Sequence, residues 1–176
     1  MILARMASGD VSAMGLLYHR HAPALLRFAR NIDPQDGEDL LHSTFVRVAK
    51  LACRFDGRSS ARGWLFGIMT RIAQEQTRSS RRFARARARL SELPRRYIEP
   101  MIDARVDLDR GLARLSAPRR VVLILAQVEG FSCEEIASML GIPHGTVWTR
   151  LHYARKQLRA LHTEAVSTLD ETRAAS

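Results

Sequence analysis

The chain has 176 residues, 46% of them hydrophobic, and 28 cationic against 18 acidic side chains give it a formal net charge of +10. That is enough for one ordinary domain or two small ones with an apolar core, which excludes compositional disorder. No apolar run approaches the ~20 residues that span a bilayer, and the start Met1-Ile2-Leu3-Ala4-Arg5-Met6 lacks a signal-peptide layout. Cys53 and Cys133 lie far apart and outside any CxxC pair, so neither a disulfide framework nor a zinc site is expected. A cytoplasmic protein without metal or cofactor is the expectation. Of the cationic residues 26 are arginine, which holds phosphate bidentately and stacks on bases, so the excess points toward nucleic acid.

The periodicity is helical throughout, with almost no strand signal and no internal repeat. From Asp10 to about Asn31 an amphipathic helix carries Leu16, Leu17, Leu25, Leu26 and Phe28, with a kink expected at Pro23. Asp33-Pro34 reads as an N-cap followed by proline at the first helical position. The helix it opens places Leu41, Phe45, Val48 and Ala52 on one face. Its first turns hold Asp36, Glu38 and Asp39, which suit the positive end of the helix dipole. The loop Arg54-Phe55-Asp56-Gly57-Arg58-Ser59-Ser60 follows. Ser59 or Ser60 can cap a third helix whose buried stripe is Ala61, Leu65, Ile68 and Ile72. That helix runs into the most basic stretch, where residues 78 to 96 hold eight arginines (Arg78, Arg81, Arg82, Arg85, Arg87, Arg89, Arg95, Arg96) and one acid, Glu92.

Between Pro94 and about Asp107 no stripe is sustained, and a linker is expected there. Beyond it Leu108, Leu112 and Leu115 form a short helix. Ser116-Ala117-Pro118 then restarts the chain into Val121, Val122, Leu125 and Val128, ending at Gly130. Ser132 followed by Glu135 is a capping box. Its helix turns Ile136, Ala137 and Leu140 inward and stops at Gly141, and Ile142-Pro143 makes the turn. The next helix buries Val147, Leu151, Ala154, Leu158 and Leu161. Two helices joined by a short glycine-containing turn have the outline of a helix-turn-helix. The outward face of the second helix holds His144, Trp148, Thr149, His152, Tyr153 and Lys156, with Arg150 and Arg155 at its flanks. A polar, basic and aromatic face is what a helix reading the major groove needs. Residues after His162 are polar, and fraying is expected.

At this point the chain resembles the extracytoplasmic-function group of bacterial RNA polymerase sigma factors. In the C-terminal part the matching words are Leu115-Ser116-Ala117-Pro118-Arg119-Arg120-Val121-Val122-Leu123, Glu129-Gly130-Phe131-Ser132, Glu135-Ile136-Ala137, Leu140-Gly141-Ile142-Pro143, Gly145-Thr146-Val147, Arg150-Leu151, Ala154-Arg155 and Leu158-Arg159. The N-terminal part matches through Leu17-Tyr18, Ala22-Pro23-Ala24-Leu25-Leu26-Arg27-Phe28-Ala29, Glu38-Asp39-Leu40, Phe45, Phe55-Asp56-Gly57-Arg58-Ser59-Ser60, Trp64-Leu65-Phe66 and Arg81-Arg82. The resemblance covers roughly residues 8 to 162.

The resemblance implies an all-α protein of two small helical domains. Residues 8–93 would bind core polymerase, recognise the minus-10 element and melt DNA, and 94–107 would be a flexible linker. Residues 108–162 would form the helix-turn-helix domain that reads the minus-35 element, and 163–176 a polar tail. Glu38, Asp39 and His42 would dock on the clamp helices of the polymerase β′ subunit, with the β subunit as a further contact. Phe55, Arg58, Ser59, Trp64, Arg71, Arg78, Arg81 and Arg82 would serve minus-10 recognition and melting. Holding unstacked bases needs aromatic surface beside cations that track the strand. His144, Thr146, Trp148, Thr149, Arg150, His152, Tyr153 and Lys156 would face the minus-35 element. An anti-sigma factor is a further implied partner; it would hold the protein near a membrane that the chain itself does not enter.

The chain departs from the family pattern at His42 and Ser43, where glutamine and glutamate are common, and at Arg71, where asparagine is frequent. At Trp148 and Tyr153 the family often carries basic residues. Arginine to guanine is the commonest direct base contact, so an unusual minus-35 preference follows. The alternative is a stand-alone helix-turn-helix regulator, which would leave the acidic word and the melting loop unexplained. Catalysis has no support: there is no glycine-rich phosphate loop, HExxH word or nucleophile elbow.

Overall fold

The computed structural model describes the backbone of residues 5–6, 10–88 and 111–174, and the side chains of 5, 6, 10, 12–79 and 111–161. Among the described residues there is no strand. The chain divides into two compact units.

The first unit is three helices. α1 spans Val11–Ile32, α2 Gly37–Leu51 and α3 Ala61–Ala88, with a short 3-10 turn at Ala52–Arg54. Asp10 caps α1, its carboxylate accepting from the backbone N–H groups of Ser12 and Ala13. Ser12 Oγ and the Arg5 side chain also donate to that carboxylate, holding its pKa down at about 2. α1 continues through Pro23 as one helix. Leu17, Leu25 and Phe28 from α1 meet Leu40, Phe45 and Val48 from α2, and Leu65, Phe66, Met69 and Ile72 from α3, all buried. Phe28 and Phe66 lie 5.1 Å apart, ring centre to ring centre, and burying such a side chain contributes about 1.5–3 kcal/mol. The two buried threonines cost the core little, because their hydroxyls donate to carbonyls one turn back: Thr44 to Leu40 at 2.7 Å and Thr70 to Phe66 at 2.8 Å.

Two expectations for this unit need correction. Leu16 is 50% exposed, since the buried stripe passes through Leu17 one position on. Asp33-Pro34 does not open α2. Asp33 instead ends α1, its N–H bonding to the carbonyl of Ala29, while Pro34–Asp36 make a turn. α2 starts at Gly37 with Asp36 at its N-cap position, so only Glu38 and Asp39 sit in its first turn. Gly37 is there because the two helices nearly touch. A Cβ on it would meet the Arg30 backbone nitrogen at 3.0 Å.

Farther along the chain residues 111–114 are helical, followed by α4 (Ala117–Gln127), α5 (Cys133–Leu140) and α6 (His144–Ala174); the second unit holds these apart from Ser138–Leu140. Leu115, Val122, Ile124, Leu125, Ile136, Val147, Leu151 and Ala154 form the core of the second unit, while Ala137, Leu140, Leu158 and Leu161, expected to be buried with them, are half-buried. Val128 lies beyond the last turn of α4 and is 52% exposed rather than part of the stripe. The capping box forms as read: Ser132 N–H donates to Glu135 at 2.8 Å and Glu135 N–H to Ser132 Oγ at 3.2 Å. Gly141 closes α5 in the left-handed region at φ 63°, where a side chain would be strained. α6 does not end at His162: the backbone stays helical to Ala174. The expected linker at 94–107, together with Arg89, Glu92, Arg95, Arg96 and Leu108, falls outside the described residues.

Candidate nucleic-acid interface

α6 builds its face by periodicity. Val147, Leu151 and Ala154 are buried, which turns the positions between them outward. His144, Trp148, Thr149, His152, Tyr153 and Lys156 are all exposed, Trp148 by 60% and Tyr153 by 47%. Thr146 and Arg150 are half-buried at the edges. The aromatic side chains stand in contact. Trp148 and His152 stack at 5.4 Å and 12°, and His152 meets Tyr153 edge to face at 5.5 Å. Thr149 is committed differently from expectation: its hydroxyl donates to the Gly145 carbonyl at 2.8 Å, leaving its methyl and acceptor lone pairs for a ligand.

The N-terminal unit places its candidates on the loop before α3 and along α3. Ser60 Oγ accepts from Gly63 N–H at 3.0 Å and caps the helix. Gly57 turns the loop at φ 75°. Asp56 accepts from Arg58 N–H at 3.1 Å and lies 3.4 Å from Arg58 Nε, with the Arg58 side chain almost fully in solvent. Phe55 and Trp64 are each half-buried and meet edge to face at 5.2 Å. Trp64 is thus both partly packed and partly available. Ser59 is half-buried, and Arg71 and Arg78 are exposed. Seven residues apart, they are about 10 Å apart along one helix face. The Arg81 and Arg82 side chains lie outside the described residues. Nearby, burial together with Arg20 and Arg62 pushes the His21 imidazole below its ordinary pKa.

A separate acidic corner is made where α1 meets α2. Glu38, Asp39 and His42 are exposed. Arg30 reaches Glu38 at 2.8 Å, an exposed pair that contributes at most about 1 kcal/mol. Asp39 makes no ion pair among the described residues. Beside them an open recess is lined by Arg30, Pro34, Gln35, Asp36 and Gly37.

Comparisons with known proteins decide what carries these faces. Residues 17–83 match the family model for sigma-70 region 2, and residues 105–158 that for sigma-70, region 4. The ECF RNA polymerase sigma factor SigL of Mycobacterium tuberculosis is 32% identical over 160 residues, covering 87% of this chain and 90% of that relative. The chain belongs to the extracytoplasmic-function sigma factors.

SigE of Mycolicibacterium smegmatis is also 32% identical, over 87% of this chain and 64% of that longer protein. Among solved structures, the sigma factor RpoE of Bartonella quintana, in complex with the anti-sigma factor NepR, matches with a TM-score of 0.67 at 28% identity. It covers 80% of this chain and 91% of that one. CnrH, in complex with the cytosolic domain of CnrY, matches at 0.68 and 28% identity over 93% and 96% of the two chains. This protein is therefore an alternative sigma factor. The region 2 match sets aside a stand-alone regulator. No helix among the described residues is long and apolar enough to cross a membrane.

Sequence reasoning missed three residues of these surfaces. Gly37 brings Glu38 and Asp39 close against α1. Arg119 on α4 lies over the Tyr153 ring at 5.2 Å. Gln157 ties α6 back to the Arg114 carbonyl at 3.2 Å. A glycine at a helix start was a readable signal for the first; nothing in spacing announces the other two.

Proposed function

We propose that this sigma factor acts through three surfaces, with residues 8–93 and 108–162 as its working domains, 94–107 as the linker and 163–176 as a C-terminal extension. The acidic corner of Glu38, Asp39 and His42 docks on the β′ clamp helices of core RNA polymerase, and the β subunit completes the contact. The loop from Phe55 to Ser59, Trp64, and the arginines at 71, 78, 81 and 82 bind the minus-10 element and hold its opened strand. Aromatic surface takes unstacked bases and cations follow the phosphates. The outward face of α6 reads the minus-35 element in the major groove.

The observation that carries this reading is the division of α6 into a buried aliphatic stripe and an exposed row of Trp148, His152 and Tyr153. Large rings left in solvent are surface held for a partner. With two aromatic rings where the family often has basic residues, the face offers contacts to thymine methyls and base edges more than bidentate guanine contacts. The chain itself carries out no catalytic step; the polymerase does the chemistry. It works in the cytoplasm, on the nucleoid when polymerase-bound, and an anti-sigma factor holds it when idle; in support, the RpoE match is a complex with the anti-sigma factor NepR and the CnrH match a complex with the cytosolic domain of CnrY. Transcription by purified core polymerase from a promoter library randomised at minus-35 and minus-10 tests the reading. Starts that depend on the chain and on both elements support it, and starts insensitive to both oppose it.

A further inference from the structure

We propose that Arg119 is a positioning residue for promoter specificity: it fixes the Tyr153 ring and, through it, His152 and Trp148, as one preassembled reading surface. The inference rests on the assignment of the α6 face to minus-35 DNA. The Arg119 guanidinium carbon lies 5.2 Å from the centre of the Tyr153 ring. Its Nη1 donates to Gln157 Oε1 at 3.4 Å, and Gln157 Nε2 in turn donates to the carbonyl of Arg114 at 3.2 Å. Tyr153 also meets His152 edge to face, ring centres 5.5 Å apart at 81°, and His152 stacks on Trp148 at 5.4 Å and 12°. Arg119, Tyr153, His152 and Trp148 thus form an unbroken run from the first turn of α4 along the outward face of α6.

The physics favours positioning over phosphate binding. A planar guanidinium stacks on an aromatic face and is attracted by its electron density. Arg119 is half-buried, and its guanidinium is already engaged by the ring and by Gln157. Tyr153, 47% exposed, would otherwise exchange among staggered rotamers. Held by its contacts to Arg119 and His152, it meets DNA already ordered, and the entropy cost of immobilising it on binding is reduced.

The test uses the full chain assembled with core polymerase, transcribing a library randomised at the minus-35 positions, with thermal unfolding of every variant. Arg119→Gln should flatten base preference about two- to fivefold, the size of an exposed cation–π contact, at the same positions that Tyr153→Ala flattens. The double variant should be no flatter than Tyr153→Ala alone, and Arg119→Lys, which keeps a cation over the ring, should retain most of the preference. A uniform loss across the library, with a log–log salt slope shallower by about 0.9, would make Arg119 a phosphate contact and overturn the proposal. Uniform loss that follows a drop in melting temperature, and that Gln157→Ala reproduces, would make it structural and equally overturn it. Should Tyr153→Ala flatten the profile while Arg119→Gln does not, only the positioning role fails. An unchanged profile in Tyr153→Ala refutes the α6 assignment itself and the proposal with it.

Discussion

Replacing Gly37 by alanine should destabilise the N-terminal unit, although alanine is the better helix former. A Cβ at position 37 lands 3.0 Å from Arg30 Cγ, 3.0 Å from its backbone nitrogen and 3.1 Å from its Cα. Two of those three atoms are backbone, so relief requires α1 and α2 to move apart rather than one side chain to swing. Overpacking of this kind costs about 1–3 kcal/mol. The helical preference of alanine returns at most about 1 kcal/mol, and less at the first position of α2. The clash wins, leaving a net loss of about 1–2 kcal/mol. In a domain of this size each kcal/mol lowers the melting temperature by about 4–8 °C. Gly15, exposed in α1 with nothing within 4 Å of an added Cβ, supplies the opposite sign. Gly15→Ala should stabilise by about 0.5–1 kcal/mol. Thermal and urea unfolding of the two variants beside the parent measures both. A Gly37→Ala protein as stable as the parent would refute the close approach that holds Glu38 and Asp39 against α1.

Glu38→Ala with Asp39→Ala should leave the fold intact, because the Arg30–Glu38 pair is solvent-exposed, and should weaken capture of core polymerase in a pull-down. Equal capture by parent and double variant would remove this corner from the interface. Reversing Arg71 and Arg78 to glutamate should weaken promoter complexes irrespective of sequence, each lost phosphate contact making the log–log salt slope shallower by about 0.7–0.9; filter binding at graded salt reads this, and an unchanged slope contradicts it. Asp10 has a folded pKa of about 2 against 3.8 for the free side chain, so its contribution is full above pH 4 and lost as pH falls toward 2. Asp10→Asn should therefore lower the melting temperature at pH 6 and converge on the parent near pH 2. For His21 the sign is opposite in charge but similar in direction: its folded pKa is depressed below 6.5, so the unfolded chain binds the extra proton and stability declines as pH drops below about 6.5. His21→Gln should flatten that decline.

The helices were legible because each carries a buried stripe of matching period, and the caps at Ser132 and at Ser60, one of the two serines read as candidates, were legible because oxygen side chains stand where free N–H groups need them. Asp33-Pro34 misled because the same pair suits a helix end followed by a turn: Asp33 terminates α1, and the chain needs three more residues to reverse before α2 can start. Val128 and Leu16 misled because an aliphatic residue one position off a stripe looks like part of it until neighbouring helices fix the rotation. The run after His162 reads as polar in composition, yet Ala165 and Leu169 continue the three- and four-residue spacing of Leu158 and Leu161, and α6 continues through it to Ala174. At the site, the outward row from His144 to Lys156 follows from period alone. The stacking of Trp148 on His152, one turn apart on α6, is local as well, whereas the ties of Arg119 to Tyr153 and of Gln157 to Arg114 depend on how residues 114–119 meet α6, which no single segment encodes.

The most direct test of the account is promoter-specific initiation by core polymerase with and without this chain, measured beside duplex binding by the chain alone. The account predicts new start sites only when chain and core are combined, set by minus-35 and minus-10 sequence together, with weak binding to duplex DNA in the absence of core. Tight sequence-specific binding by the chain alone, with polymerase start sites unchanged by its addition, would contradict it.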